Sequence, residues 1–153
     1  MRSPYRSARL KRLSIATFLV GLLAAPATAQ TFGAQVGVSL DPDQFYFGGH
    51  LQTPPVVDRL HFRPNVEIGV GDDITLVGFN MEFVYRFPTQ RAWGLYAGGG
   101  PALNVIKTRG DTHSEGGFNI VVGMAHRDGL FVELKGGAMD SPNFKLGVGY
   151  VFR

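Results

Sequence analysis

The chain of 153 residues contains no cysteine. That absence excludes a disulfide framework, thiolate metal sites and thiol catalysis. Charge is sparse, at 18% of residues, and no acidic residue precedes Asp41. An apolar run long enough for a membrane helix is also missing. The stretch Leu13–Ala25 has thirteen residues, against the ~20 that cross a bilayer as a helix. Beyond it, no long stretch repeats with a helical period. Disorder is excluded from the other side, because 44% of residues are apolar and 12% aromatic. The formal charge of +3 is local: Arg2, Arg6, Arg9, Lys11 and Arg12 carry five of the 15 bases. From Gln30 onward, 10 basic residues face 12 acidic ones, a net of −2. No basic patch of the nucleic-acid type remains, so nucleic acid is not an expected partner.

What the N-terminus does contain is a basic head, the apolar run and then Pro26-Ala27-Thr28-Ala29. Basic head, apolar middle and small-x-small end are the parts of a secretory signal peptide. Residues 1–29 are therefore read as an export signal and residues 30–153 as the mature domain. No cysteine follows the cleavage site, so a lipoprotein anchor is not expected.

The mature part reads as eight segments of period two, separated by Gly, Pro and Asp clusters. They are 32–40, 44–52, 60–71, 74–87, 93–105, 117–126, 130–138 and 143–153. In the last, Phe144, Leu146, Val148, Tyr150 and Phe152 share one face, with Lys145, Gly147 and Gly149 opposite. In 74–87, Val77, Phe79, Met81, Phe83, Tyr85 and Phe87 oppose Gly78, Asn80, Glu82 and Arg86. Two architectures fit such alternation. In a soluble antiparallel sandwich the apolar face is the core; in a membrane barrel it meets lipid and the polar face fills a narrow interior. Glycine recurs on the polar face, where a solvated surface would carry Lys, Glu and Thr. Glycine weakens a strand and needs a reason, which the crowded inside of an eight-stranded barrel supplies.

Aromatic placement favours the barrel as well. With the N-terminus at the periplasmic side, that end of the apolar face carries Phe32, Phe62, Tyr85, Phe87, Trp93, Tyr150 and Phe152. The opposite end carries Phe45, Phe47, Phe118 and Phe144. Two belts with aliphatic residues between them suit the two lipid–water interfaces. The expected fold is thus all-β, an eight-stranded antiparallel up-and-down transmembrane barrel, with the soluble ligand-binding sandwich as the alternative.

This pattern resembles the small bacterial outer-membrane β-barrels of OmpA/OmpX type across essentially the whole mature chain. The most specific piece is Lys145-Leu146-Gly147-Val148-Gly149-Tyr150-Val151-Phe152, which resembles that family's terminal strand. The resemblance implies that Lys145, Gly147, Tyr150 and Phe152 form a signal read by the barrel-assembly machinery. Arg153 departs from the family, in which the aromatic residue is last. The resemblance also implies outer-membrane lipid and lipopolysaccharide as surroundings, no cofactor, and a role in envelope structure or surface interaction.

The inward positions include Glu67, Glu82 and Glu133 with Arg63, Arg86, Lys135 and Lys145. Charges inside a spanning barrel must pair, so these residues are expected to form an ion-pair network plugging the lumen. A two-residue turn at Asp72-Asp73 makes Gly71 face Ile74, Arg63 face Glu82 and Asn65 face Asn80. Arg127-Asp128-Gly129 reads as a three-residue turn on the periplasmic side, as do the links 53–59 and 88–92. Outward loops are expected at 41–43, 72–73, 106–116 and 139–142. Their rim is acidic (Asp41, Asp43, Asp72, Asp73, Asp111, Glu115 and Asp140), with Lys107 and Arg109 as its bases. Carboxylates of this kind can hold Mg²⁺ or Ca²⁺, although solvated loops are the plainer reading.

Catalysis has one foothold. Lipid A deacylase barrels use a His-x-Ser pair with a carboxylate, whereas here His113, Ser114 and Glu115 are consecutive. Adjacent strand residues point to opposite faces, which separates nucleophile from base. A lipid A-modifying enzyme stays as the second reading. His50, His61 and His126 show no metal-ligand spacing, and Gly98-Gly99-Gly100 precedes no helix. Pro64 and Pro101 fall inside strands, and a bulge is expected at Pro101.

Overall fold

In the computed structural model, residues 30–139 and 141–153 are described. The expected signal peptide, 1–29, and Asp140 of the expected acidic rim lie outside the described residues. The strands are β1 (Thr31–Leu40), β2 (Gln44–Gln52), β3 (Pro55–Val57), β4 (Leu60–Gly71) and β5 (Ile74–Arg86). They continue as β6 (Trp93–Thr108), β7 (Thr112–His126), β8 (Leu130–Met139) and β9 (Phe144–Phe152). Every neighbouring pair is antiparallel. The ladder closes because β2 also pairs with β4 while β1 pairs with β9. Eight strands thus make a barrel. The three-residue β3 is an addition inside the expected 53–59 link, held against the start of β4.

Closure has a fixed stagger. Gly33 pairs with His50, His50 with Asn65, Asn65 with Asn80, Asn80 with Ala102, Ala102 with Gly117 and Gly117 with Met139. Continuing the β8–β9 and β9–β1 registers at their own spacing leads through 141 to position 43, ten residues beyond Gly33. A stagger of that size on eight strands tilts them by about 40°. The start of β1 and the end of β9, the described termini, lie at one end, where Phe32 pairs with Phe152.

Burial runs opposite to that of a soluble sandwich. The alternating apolar side chains point outward and are exposed: Val38 48%, Val70 49%, Leu95 54%, Ile120 56% and Leu146 43%. The polar side chains point into the barrel and are covered: Glu82 0%, Glu67 1% and Lys135 2% exposed. Outward-facing aromatics, exposed or half-buried, mark both ends of the outer face. Phe32 stacks on Phe152 across the β1–β9 seam at 5.9 Å, Phe62 lies 5.1 Å from Phe83, and Tyr85 lies 5.3 Å from Phe87. Phe45, Phe118 and Phe144 are exposed toward the other end.

Inward aromatic rings occupy the space that glycines leave. A Cβ on Gly37 or Gly147 would overlap Tyr46, one on Gly123 would overlap Tyr96, and one on Gly149 would overlap Phe131. His50 presses on Gly33 in the same way. Each ring sits over a neighbouring strand where no side chain competes. At Gly129, φ is +111°, in the left-handed region that glycine tolerates, as the Arg127-Asp128-Gly129 turn requires.

Two expectations are corrected. The segment 106–116 is not a loop. β6 and β7 continue to Thr108 and Thr112, leaving only residues 109–111 as a turn. Pairing of Ile106 with His113 and Lys107 with Thr112 carries the ladder outward, because β-branched residues and threonines suit extended backbone. No bulge occurs at Pro101. Asn80–Ala102 and Phe83–Gly99 keep one register, and the β5–β6 pairing lapses only between them, where proline has no N–H to give. Pro64 follows the same logic, since β2–β4 pairing stops at His50–Asn65, one pair short of the proline.

The glycine seats generate a prediction. Gly123→Val drives a branched side chain into the Tyr96 ring and is expected to cost about 1–3 kcal/mol in urea unfolding from vesicles. Gly136→Ala, with open space around it, is expected to leave the unfolding midpoint unchanged.

Candidate functional site

The barrel interior concentrates the chemistry. Alternation places Arg63, Glu67, Glu82, Glu133, Lys135 and Lys145 on the inner face, each 5% exposed or less. The Asp72-Asp73 turn, with Asp73 at φ +61°, pairs Gly71 with Ile74 and so sets Arg63 beside Glu82. Arg63 donates to Glu82 Oε2 from Nη2 at 2.7 Å and from Nε at 3.1 Å. Its Nη2 also lies 3.0 Å from Glu133 Oε2. Lys135 Nζ bonds Glu67, lies 2.8 Å from Glu82 Oε1, and stands 3.5 Å from Glu133 Oε1. Lys145 Nζ donates to Glu67 Oε2 at 2.7 Å. Three cations thus meet three carboxylates, and the cluster is neutral in total.

Neutral groups complete the shell. Gln35 Nε2 donates to Glu67 Oε1 at 2.8 Å, and the Tyr96 hydroxyl donates to Glu133 Oε2 at 2.8 Å. Arg63 lies over the Tyr96 ring and Lys145 over the Tyr46 ring, each 5.3 Å from the centroid. Both cations therefore gain a π face where water is excluded. An amide chain runs alongside: Asn119 Nδ2 donates to Asn80 Oδ1 at 2.8 Å, and Asn80 Nδ2 to Asn65 Oδ1 at 2.6 Å. Toward the termini, Val84, Tyr96 and Val121 form a small apolar plug.

Arg86 stands apart from the expected network. Its Nη2 donates to Gln52 Oε1 at 3.0 Å, and among the described residues no carboxylate pairs with it. The reason is position: Arg86 ends β5 directly opposite Tyr96, and it is the Tyr96 hydroxyl that reaches Glu133. The inner-face rings of Tyr46 and Phe131, and the apolar Val84 and Val121, were not singled out as site residues from sequence. Their signal was available. A large side chain inward in one strand faces glycine in the next, as Tyr46 does with Gly37 and Phe131 with Gly149.

Of the assembly-signal residues, Lys145 and Gly147 face inward, while Tyr150 and Phe152 are exposed on the outer face, 5.3 Å apart. At the rim, Arg109 pairs with Asp73, both well exposed. Among the described residues no three carboxylate or imidazole groups converge as metal ligands. His113 Nε2 lies 3.1 Å from Glu115 Oε1, and Ser114 occupies the alternate position between them.

Breaking the cluster from one side leaves an uncompensated buried charge. Glu82→Gln is expected to destabilise the barrel by about 3–5 kcal/mol in urea unfolding, because both Arg63 and Lys135 lose a partner. Arg86→Gln, which removes no ion pair, is expected to change stability by less than about 1 kcal/mol.

No protein-family model and no curated protein matches this sequence. Solved structures do match. The N-terminal β-barrel domain of Pseudomonas aeruginosa OprF aligns with 81% of this chain and 97% of its own, at 16% identity and a TM-score of 0.63. Neisserial surface protein A aligns with 80% of this chain and 94% of its own, at 14% identity and 0.60. The outer membrane enzyme PagL aligns with 82% of this chain and 99% of its own, at 15% identity and 0.52. The closed ladder, the outward apolar face and these likenesses together give the chain the fold of the small eight-stranded outer-membrane β-barrels.

Proposed function

We propose that the chain is an exported, non-catalytic outer-membrane barrel that serves envelope structure or surface interaction, with its lumen plugged by side chains. The observation that carries this reading is the inversion of burial. Apolar residues about half exposed surround all eight strands, and six charged side chains sit almost fully covered inside. Water does not favour such an outer face, whereas a lipid bilayer does. On this reading the termini end is periplasmic, residues 1–29 are removed on export, and Tyr150 and Phe152 guide insertion by the barrel-assembly machinery. Outer-membrane lipid and lipopolysaccharide are the surroundings of the outer face.

Two features support a plugged and inert interior over a pore or an enzyme. The ion-pair cluster spans from β4 and β5 across to β8 and β9, so the lumen is crossed by bonded side chains. On β7, His113 and Glu115 share a face and Ser114 takes the other, which withholds a base from the serine hydroxyl. β6 and β7 are the longest strands, at 16 and 15 residues, and their hairpin is the surface on which contacts beyond the membrane would rest.

Electrophoresis of the membrane fraction tests the reading. Expressed as the full precursor in a Gram-negative host, the protein is expected in the outer membrane, with different mobility in detergent before and after boiling. A soluble periplasmic product without that shift would sink it. The plugged lumen makes a second expectation: planar bilayers containing the protein should stay at baseline conductance. Stable channels would contradict the plug, and lipid A hydrolysis abolished by Ser114→Ala would establish the enzymatic alternative.

A further inference from the structure

At the termini end, a cleft of about 150 Å³ opens where β5, β6 and β7 meet. Arg86, Arg91, Arg127 and Arg153 line it, together with His126. Three of the four guanidinium groups are held by neutral acceptors. Arg86 Nη2 donates to Gln52 Oε1 at 3.0 Å, Arg127 Nη2 to the Gln90 carbonyl at 2.8 Å, and Arg153 Nη1 to the Arg127 carbonyl at 2.6 Å. Among the described residues, none of these four arginines is ion-paired. Asp128, a carboxylate beside the cleft, lies against His126 at 3.2 Å and is mostly exposed. Neutral acceptors fix a guanidinium in place without discharging it. Each arginine has five N–H donors, so most of them stay available.

The interior cluster balances every cation with a carboxylate, but this cleft gathers four arginines and balances none. Like charges brought together in a concave site repel, unless an anion from outside joins them. Arginine's planar fork suits a phosphate oxygen pair. The lining also names the kind of molecule. Phe87 and Leu95 belong to the exposed apolar face, at 49% and 54%, and they form part of the same cleft. Trp93, also on that face, lies 5.0 Å from the His126 ring. One wall is cationic and the other runs onto the lipid-facing surface at the height of the aromatic belt. A soluble anion has no use for the second wall; an amphiphile uses both.

We propose that this cleft binds the phosphate headgroup of an anionic glycerophospholipid from the leaflet at the termini end, its acyl chains lying along Phe87 and Leu95. The inference rests on the reading of the outer face as lipid-facing. Basic pockets at a membrane surface recognise acidic headgroups by the same combination of charge and apolar contact.

Trp93 is the chain's single tryptophan and stands beside the cleft, against the His126 ring that lines it. The protein is inserted into phosphatidylcholine vesicles, and phospholipids with brominated acyl chains are mixed in at equal mole fraction. Brominated phosphatidylglycerol is expected to quench Trp93 at least about twofold more than brominated phosphatidylcholine. The double variant Arg127→Gln/Arg153→Gln is expected to lose that preference while keeping the heat-dependent mobility shift. Equal quenching by the two lipids in the unaltered protein would overturn the proposal, as would a preference that survives in the variant. A saturating Trp93 response to inorganic phosphate, without any lipid preference, would make this a soluble-anion site and overturn the lipid assignment. Loss of the heat-dependent shift in the unaltered protein would instead overturn the membrane reading on which the proposal rests.

Discussion

Closure of the ladder is the constraint from which the rest of this structure follows. Once β2 pairs with β4 and β1 with β9, none of the eight barrel strands is left as an edge, and the sheet has an outside and a narrow inside. Strict alternation then sends half the side chains to each. A ten-residue stagger over eight strands leaves a lumen that side chains fill, so whatever points inward must satisfy itself without bulk water. Arg63, Lys135 and Lys145 against Glu67, Glu82 and Glu133 meet that demand with equal numbers of charges, and Tyr96 and Gln35 take up remaining acceptor capacity. Such a cluster is weak evidence for stability, since hydrophobic replacements can do as well. Its sharper consequence is specificity. A one-residue slip in any strand would turn its charges to the outer face, and the register is thereby fixed.

Charge is arranged in three tiers along the barrel axis. The middle tier is neutral. At the hairpin end, Asp41, Asp43, Asp72, Asp73, Asp111 and Glu115 outnumber Lys107 and Arg109. At the termini end, Arg59, Arg86, Arg91, Arg127 and Arg153 outnumber Asp58 and Asp128. A chain with a net of −2 from Gln30 onward therefore presents an acidic rim and a basic rim. The two ends of the barrel offer opposite fields to their surroundings, and the arginine cleft is the concave part of the basic one.

Glycine and aromatic residues are two halves of one packing device. Tyr46, Tyr96 and Phe131 point inward, and each lies where a glycine on the adjacent strand has vacated the space a Cβ would take. Glycine lowers strand propensity, but here it admits a ring that screens the neighbouring cation. Tyr96 under Arg63 and Tyr46 under Lys145 show the combination at both ends of the cluster.

Much of this was legible from period two alone. The eight segments, the outward apolar face and the Arg63–Glu82 and Asn65–Asn80 registers follow from alternation plus a two-residue turn at Asp72-Asp73, because local rules fix which residues oppose each other across a hairpin. The length of the β6–β7 hairpin was not legible. His113, Ser114 and Glu115 read as loop residues in one dimension, and only pairing with Asn104, Val105 and Ile106 holds them extended. The exclusion of Arg86 from the ion-pair cluster was equally hidden, since an inward position says nothing of height along the axis. That height is set by the stagger accumulated around all eight strands, which brings Lys135 to Glu67 and Arg63 to Glu133 across the lumen. Which face each residue takes was readable along the chain, because alternation is a property of a single strand. The tertiary structure alone decided which inward residues meet, because partners across a closed barrel are fixed only when every register is in place.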